Sequence, residues 1–422
     1  MKKTKVYQSN MPVGVVFDCH VNGLGVMRSL GEKGVPVLGL DCNPRNMGLL
    51  SKYCHGEVCP DPSKNERAFV DSLCETGRKL KNKGVLFPTN DVWLIAVSRH
   101  QKELESYFLF PMSGWEVIRN CVDKARMYQI ASEADIPIPE TLFCREVAEL
   151  KNIRPRIKYP CIIKARVTTE FDQTFKSRFV RIEREAALDD WLQQNEAALS
   201  RLKIGFVVQE IIPGGAASLY TFSAYSNAEA EVVAFSTIRK TRQYPPDYGT
   251  ITSGEVIRQP EVIESGTRLI KKLNYYGLSN IEFKRDERDG RFRLMEINAR
   301  SGKSIYYTTS SGLNLPYFAY QEATGVKLGP RHREGEYGRG WMVFLDDLAT
   351  FLHHPGQENR SQGSTPWRNL RNWCFGGRMI EAVCSWRDPL PGIAFGWNYL
   401  LATFRFLGRK IGRVLSRGEP KQ

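Results

Sequence analysis

The chain has 422 residues, 42% hydrophobic and 25% charged, with a formal net charge of +14 and a pI near 9.3. The length exceeds what one core fills and predicts two or three domains, while the composition excludes a disordered or fibrous chain. The positive balance suits acidic partners such as nucleotides, nucleic acid or an anionic membrane, and it equally serves solubility.

Residues 13–41, VGVVFDCHVNGLGVMRSLGEKGVPVLGLD, read as a buried strand, the turn Asn22-Gly23-Leu24-Gly25, a helix carrying Met27 and Leu30, and a second strand over 35–40. This βαβ start predicts an α/β domain with a parallel sheet. The third glycine of a dinucleotide fingerprint is missing, so a generic Rossmann-like turn is expected rather than an NAD site. Residues 84–100 repeat the strand–helix pattern, with Asp91 near the helix start. Residues 121–141 read as a helix followed by a Pro-rich link, which places the first boundary near residue 122. Beyond it, PCIIKAR (160–166) is a buried strand carrying Lys164, and FVVQEIIPGG (206–215) is a strand that breaks at Pro213-Gly214. The strand-rich segments 231–250 and 277–300 follow.

The segment 277–300 carries the clearest chemistry. IEFKRD and FRLMEIN flank ERDG, a hairpin turn signal at Asp289-Gly290. Pairing the strands so that Glu282 faces Glu296 puts Ile281 opposite Ile297 and Phe283 opposite Met295, all apolar and all on the other face. Glu296, Asn298 and Arg300 then share one face, because strand side chains alternate. Two carboxylates facing each other are destabilising without compensation. A divalent cation held by Glu282, Glu296 and the Asn298 amide oxygen supplies it, in an all-oxygen set that suits Mg²⁺ shared with phosphates. Arg300 has the planar fork that binds phosphate or carboxylate. The plainer alternative is a surface hairpin with solvated charges.

Lys164 ends an apolar strand and needs an anion, or a path for its ammonium to solvent. Glu210 and the backbone of Ile211 and Ile212, just before the Pro-Gly break, can present the acceptor and donor that an adenine edge requires; a plain strand end reads equally well. Arg239, Lys240 and Arg242, beside Pro245-Pro246, form either an anion clamp or a solvated charge run.

In this order, these parts resemble the ATP-grasp superfamily over about residues 12–330. The most specific piece is EFKRDERDGRFRLMEINAR with GLNLP (312–316) after it. NGLGVMRSLGEKGVPVLGLD, QEIIPGG and RKTRQYPPDYG resemble more narrowly the predicted ATP-dependent carboligases, a group that includes D-aspartate ligase-like carboxylate–amine ligases. The resemblance implies a Rossmann-like domain (1–122), a small ATP-grasp subdomain (123–205), a large subdomain with the metal site (206–330) and a basic extension (331–422). It implies that Lys124 and Lys164 bind ATP phosphates, and that Glu210, Ile211 and Ile212 hold the adenine. It further implies that Glu282, Glu296 and Asn298 ligate Mg²⁺ or Mn²⁺, and that Lys240 and Arg300 steady the transferred phosphate. The implied activity joins a small carboxylate to an amine or thiol through an acyl phosphate. Bicarbonate activation, of the biotin carboxylase or carbamoyl-phosphate kind, and a catalytically weak ATP-binding scaffold are the alternatives. The stretch after Lys164, residues 165–179, lacks the glycines of many lids and offers Thr168, Thr169 and Thr174 instead. The sequence leaves the oligomeric state open; by analogy with the superfamily, a homodimer is one candidate.

Residues 331–422 carry fourteen Lys/Arg and eight Asp/Glu. Residues 393–417 read as an amphipathic helix whose apolar side includes Trp397 and Leu401 and whose arginines recur at 405, 409, 413 and 417. It either packs on the body or lies on an anionic membrane surface; in the second case a lipid-linked cell-envelope or polysaccharide precursor becomes a candidate substrate. No dedicated nucleic-acid motif is present. Ten scattered cysteines without CxxC or zinc spacing predict reduced thiols in a cytoplasmic protein, peripheral to the membrane's inner face if the helix docks there. No signal peptide or spanning segment is expected.

Overall fold

In the computed structural model, which describes residues 3–166, 174–175, 177, 179–199, 201, 205–245, 249–329, 333–353 and 365–401, the first sheet is wholly parallel. It comprises β1 (Gly14–Phe17), β2 (Val37–Asp41), β3 (Cys54–Val58), β4 (Gly84–Pro88) and β5 (Phe108–Leu109), in the order β3-β2-β1-β4-β5. β1, β2 and β4 are buried throughout, which is why they read as nearly unbroken apolar runs. The order reverses between β1 and β4, and at such a switch point the carboxyl ends of the strands leave a crevice. Asp18 and the segment Thr89-Asn90-Asp91 stand at those ends. The glycines after β1 serve close packing. A Cβ at Gly23 would lie 2.2 Å from the Asp18 carbonyl oxygen, and one at Gly25 would lie 2.8 Å from Ile305.

The second sheet is antiparallel: β6 (Thr141–Cys144), β7 (Cys161–Ala165), β8 (Val180–Ile182) and β9 (Phe206–Glu210), in the order β6-β9-β7-β8. It has its own core, including Leu150, Ile163, Leu188 and Val208. β9, assigned from sequence to the larger subdomain, is hydrogen-bonded between β6 and β7 here. The chain crosses to the large sheet only after Pro213.

The third sheet is built from β10 (Leu219–Ser226), β11 (Val232–Tyr244), β12 (Thr250–Val256), β13 (Gly277–Arg285) and β14 (Phe292–Asn298). β15 (Arg333–Glu334) pairs with β11, and β16 (Gly340–Met342) and β17 (Met379–Glu381) lengthen the sheet beyond β12. Residues past 330, set apart in the sequence as a basic extension, therefore lengthen this sheet and add the helices Phe344–His353 and Pro366–Phe375. Strands of two or three residues are too short to show a period of two.

One core joins Phe17 and Leu86 of the parallel sheet to Phe222, Ile281 and Leu294 of the large sheet through Met127 and Tyr128. Each such buried side chain contributes about 2 kcal/mol. Met127 and Tyr128 belong to the helix Lys124–Glu133. The helix expected across this region is two helices, Trp115–Val122 and Lys124–Glu133, broken at Asp123. The Asp123 carboxylate accepts from the backbone N–H of Ala125 (3.0 Å) and Arg126 (3.4 Å), an N-cap that makes Lys124 the first helical residue.

Candidate active site

The cap that starts the Lys124 helix also ties it to β7. Arg166 donates through Nε and Nη2 to the two Asp123 oxygens at 2.7 and 2.8 Å, and the Lys124 N–H donates to the Arg166 carbonyl at 3.2 Å. This brings Lys124 near Lys164. Lys164 Nζ donates to Gln209 Oε1 at 2.9 Å and stands 5.7 Å from the centroid of the Tyr128 ring. Burial pushes the Lys164 pKa down to about 8, with Glu296 opposing the shift. Burial lowers the Lys124 pKa too; the Lys164 charge adds to that effect, while Glu296, Tyr128 and Asp91 oppose it. Two cationic side chains held close in a partly dry site form a seat for a polyanion.

The hairpin faces this seat. Asn280 pairs with Asn298, Ile281 with Ile297 and Glu282 with Glu296, so the two carboxylates stand opposite each other. The pairing then slips, and Phe283 meets Leu294 rather than Met295. The extra residue is a bulge. It lets Leu294 and Ile297, three apart, both turn into the core, where strict alternation would have set Leu294 on the face of Glu296. Contacts from outside the hairpin hold it: Tyr128 Oη donates to the Met295 carbonyl at 2.8 Å, and the Leu294 N–H donates to the Pro137 carbonyl at 2.8 Å.

Lys240, buried on β11, donates to Glu282 Oε2 at 2.9 Å. Arg300 Nη2 donates to Asn298 Oδ1 at 2.8 Å, and Asn298 Nδ2 donates to the Asn280 carbonyl at 3.3 Å. Arg300 also reaches Asp91 beyond β4, with Nε–Oδ1 at 2.8 Å and Nη2–Oδ2 at 3.3 Å. Asn90 donates to Asp18 at 3.1 Å. Burial and the nearby Asp41 raise the Asp18 pKa, while Asn90 and Arg300 act against them. The crevice of the parallel sheet and the carboxylate pair of the hairpin are thus linked through Arg300.

Glu282, Glu296 and the Asn298 amide form an all-oxygen donor set suited to Mg²⁺ completed by phosphate oxygens. Among the described residues no group of three or more His, Cys, Asp and Glu is arranged to hold a metal, so a cation here would draw on the amide and on its substrate. Glu282 accepts from Lys240 and the Asn298 amide oxygen from Arg300; each oxygen keeps a further lone pair that fits a cation.

The remaining residues singled out from sequence are placed differently. Glu210 lies at the edge of the smaller sheet, where Oε1 accepts from the Glu140 N–H and Oε2 from Arg288 Nη1, both at 2.8 Å. Arg288 sits in the hairpin turn, so this contact straps the two sheets together; each Glu210 oxygen keeps a lone pair for a ligand. The Ile211 N–H donates to the Pro160 carbonyl at 3.4 Å, and the Ile212 side chain is buried. Of the basic trio, Lys240 alone turns to the carboxylate pair. Arg239 pairs with Glu255 at 2.8 Å. Arg242 is buried in a bidentate pair with Asp347, at 2.7 and 2.6 Å. A register irregularity between Lys240 and Arg242 separates their directions. Pro246, and residues 167–173 of the proposed lid, lie outside the described residues.

Sequence reading placed Asp91 at a helix start without its link to Arg300, and missed Gln209, Tyr128, Asp123 and Arg166. It also missed Asn22, which donates to the carbonyls of Thr89 (2.6 Å) and Ser301 (2.7 Å) and accepts from the Ser301 hydroxyl. Of these, only the helix starts at Asp91 and at Asp123–Lys124 carried a local signal.

Residues 227–338, which hold Lys240, Glu282, Glu296, Asn298 and Arg300, match a family model described as ATP-grasp in the biosynthetic pathway with Ter operon. The chain is 26% identical over 290 residues to the D-aspartate ligase of Enterococcus faecium (strain Aus0004), covering 64% of this chain and 67% of that protein. Its fold is similar to that of L-amino acid ligase from Bacillus licheniformis, with a TM-score of 0.60 and 17% identity over 79% of this chain and 80% of the other. It is also similar to N5-carboxyaminoimidazole synthetase from Staphylococcus aureus complexed with ADP, with a TM-score of 0.61 and 16% identity over 82% and 87%.

Proposed function

We infer that this ATP-grasp chain is an ATP-dependent ligase that joins a carboxylate to an amine through an acyl phosphate. The observation that carries the reading is the convergence of Lys124 and Lys164 on the face of Glu296, itself opposite Glu282. Two cations and two facing carboxylates in one place suit a metal–triphosphate.

In this reading Lys124 and Lys164 hold the phosphates, and the hinge at Glu210, Ile211 and Ile212 holds the adenine. Glu282, Glu296 and Asn298 would hold Mg²⁺, which when bound neutralises phosphate charge. Lys240 and Arg300 orient the γ-phosphate against the incoming carboxylate. The carboxylate oxygen attacks the γ-phosphorus, the bond to the β-phosphate oxygen breaks, and ADP leaves. The amine nitrogen then attacks the acyl carbon, the acyl–oxygen bond breaks to release phosphate, and the nitrogen loses a proton. Enclosing the acyl phosphate limits its hydrolysis.

The test is Mg-ATP-dependent phosphate release over a panel of D- and L-amino acids, hydroxy acids and bicarbonate, with and without amines, using Glu296→Ala as the blank. Release that requires one acid and one amine supports the reading. Release with bicarbonate alone would replace it.

A further inference from the structure

The helix over residues 389–401 contains no charged side chain, yet it lies at the surface. It has two apolar faces. One packs on the body: Phe395 is buried, with its ring 6.2 Å from that of His20 and 5.1 Å from that of Tyr399, and Tyr399 donates to Asp346. The start of the helix is clamped as well. Asp388, just before it, accepts from Arg28 Nε (3.0 Å), Ser51 Oγ (2.8 Å) and the Lys52 N–H (2.9 Å).

The other face is open. Leu390, Ile393 and Trp397 are 54%, 66% and 62% exposed, and Leu400 lies along the same stripe at 53%. Trp386, in the turn before the helix, is 92% exposed. Single exposed apolar residues are ordinary, but a contiguous stripe on a clamped helix marks a contact surface. The charges exposed on the neighbouring stretch of chain have one sign. Among residues 365–401 the exposed charged side chains are Arg368, Arg371, Arg378 and Arg387, while the two acidic residues, Glu381 and Asp388, are buried.

We propose that the open face of the 389–401 helix, with Trp386, docks this protein on an anionic lipid surface. An exposed stripe of Trp, Leu and Ile on a stretch of chain whose exposed charges are all arginines is what an interfacial helix presents to headgroups and acyl chains. Past residue 401 the sequence stays basic, with Arg405, Arg409, Lys410, Arg413 and Arg417 before its first acidic residue, Glu419. No helix among the described residues is long and apolar enough to cross a membrane, so the mode is peripheral. The proposal is independent of the ligase reading.

The test is co-sedimentation of the full chain with vesicles of phosphatidylcholine alone and of an equimolar phosphatidylcholine–phosphatidylglycerol mixture. The expected result is pelleting with the anionic vesicles, weakened by salt, with little on neutral ones. The double variant Ile393→Glu, Trp397→Ser should partition on the order of tenfold less. Trp386→Ser, altered in a turn, provides a second reading if the double variant fails to fold. Equal pelleting of variants and parent, or no pelleting of the parent, overturns the proposal. So does a parent that is a dimer, binds no vesicles and becomes monomeric in the double variant, because the face would then join two copies.

Discussion

Asp91 and Arg300, 209 residues apart in sequence, form a two-point ion pair that joins the crevice of the parallel sheet to the end of the hairpin. The same guanidinium reaches Asn298, so Asp91 aims the residue assigned here to the transferred phosphate. Arg300→Ala should lower turnover on the order of a hundredfold or more, as loss of a donor to developing charge does. Asp91→Asn, which keeps the shape and loosens the aim, should cost roughly tenfold in kcat with the KM for ATP unchanged. Equal effects on kcat and on ATP affinity would remove the positioning role of Asp91.

Lys164 makes pH an informative variable. Its pKa in the fold is about 8, against the ordinary 10.5. A lysine depressed in this way costs stability while it is charged in the fold. The cost is full below about pH 8, fades between about 8 and the unfolded value, and is absent above it. At about 1.4 kcal/mol per pH unit the cost is on the order of 3 kcal/mol. Lys164→Met should therefore raise the melting temperature of the ligand-free protein, most clearly below pH 8, and should abolish tight ATP binding. For the parent, Mg-ATP affinity should fall as pH rises through about 8, because phosphate binds the protonated lysine. Calorimetric melts and ATP titrations across pH measure both.

In the proposed reading the facing carboxylates would set the metal requirement. Glu296→Gln and Glu282→Gln keep size and remove charge. Each should raise the Mg²⁺ concentration needed for half-maximal activity by tenfold or more, because two charged ligands become one. Asn298→Ala should do so as well, since it removes the third oxygen. Activity titrated against Mg²⁺ gives the answer, and an unchanged requirement in all three would move the metal site elsewhere.

Arg242 separates structure from chemistry. Its ion pair with Asp347 is fully buried, and Asp347 also accepts from the Thr252 hydroxyl at 3.2 Å. Arg242→Met leaves a buried carboxylate without its cation and should cost about 3–5 kcal/mol of stability. The folded fraction of the variant should keep the parent's affinity for ATP. Lys240→Met, one bulge away, leaves Glu282 partly open to water and should cost less stability than Arg242→Met, with a large loss of turnover.

Much of the site was legible because strand chemistry repeats. Glu282 and Glu296 could be paired from sequence because Ile281 and Ile297 had to share the opposite, apolar face, and a slipped register would have mixed the two. The same logic failed at Met295. The bulge there is held by Tyr128 and by the carbonyl of Pro137, neither of which leaves a trace in the alternation of FRLMEIN. Arg239, Lys240 and Arg242 looked like one clamp because a string of letters does not show which way each side chain turns.

The sequence by itself determined what acts over a few residues: the parallel βαβ start, the hairpin and its facing carboxylates, and the lysine at the end of a buried strand. Periodicity and turn chemistry write those features locally. Tertiary structure alone decided what depends on packing between distant segments. It set Lys124 beside Lys164 through Asp123 and Arg166, gave Arg300 to Asp91, and buried Arg242 on Asp347. It also packed one side of the last described helix and left the other open. Each of these outcomes turns on which oppositely charged or apolar group arrives from elsewhere in the chain, and a buried charge accepts whichever partner the core brings within reach.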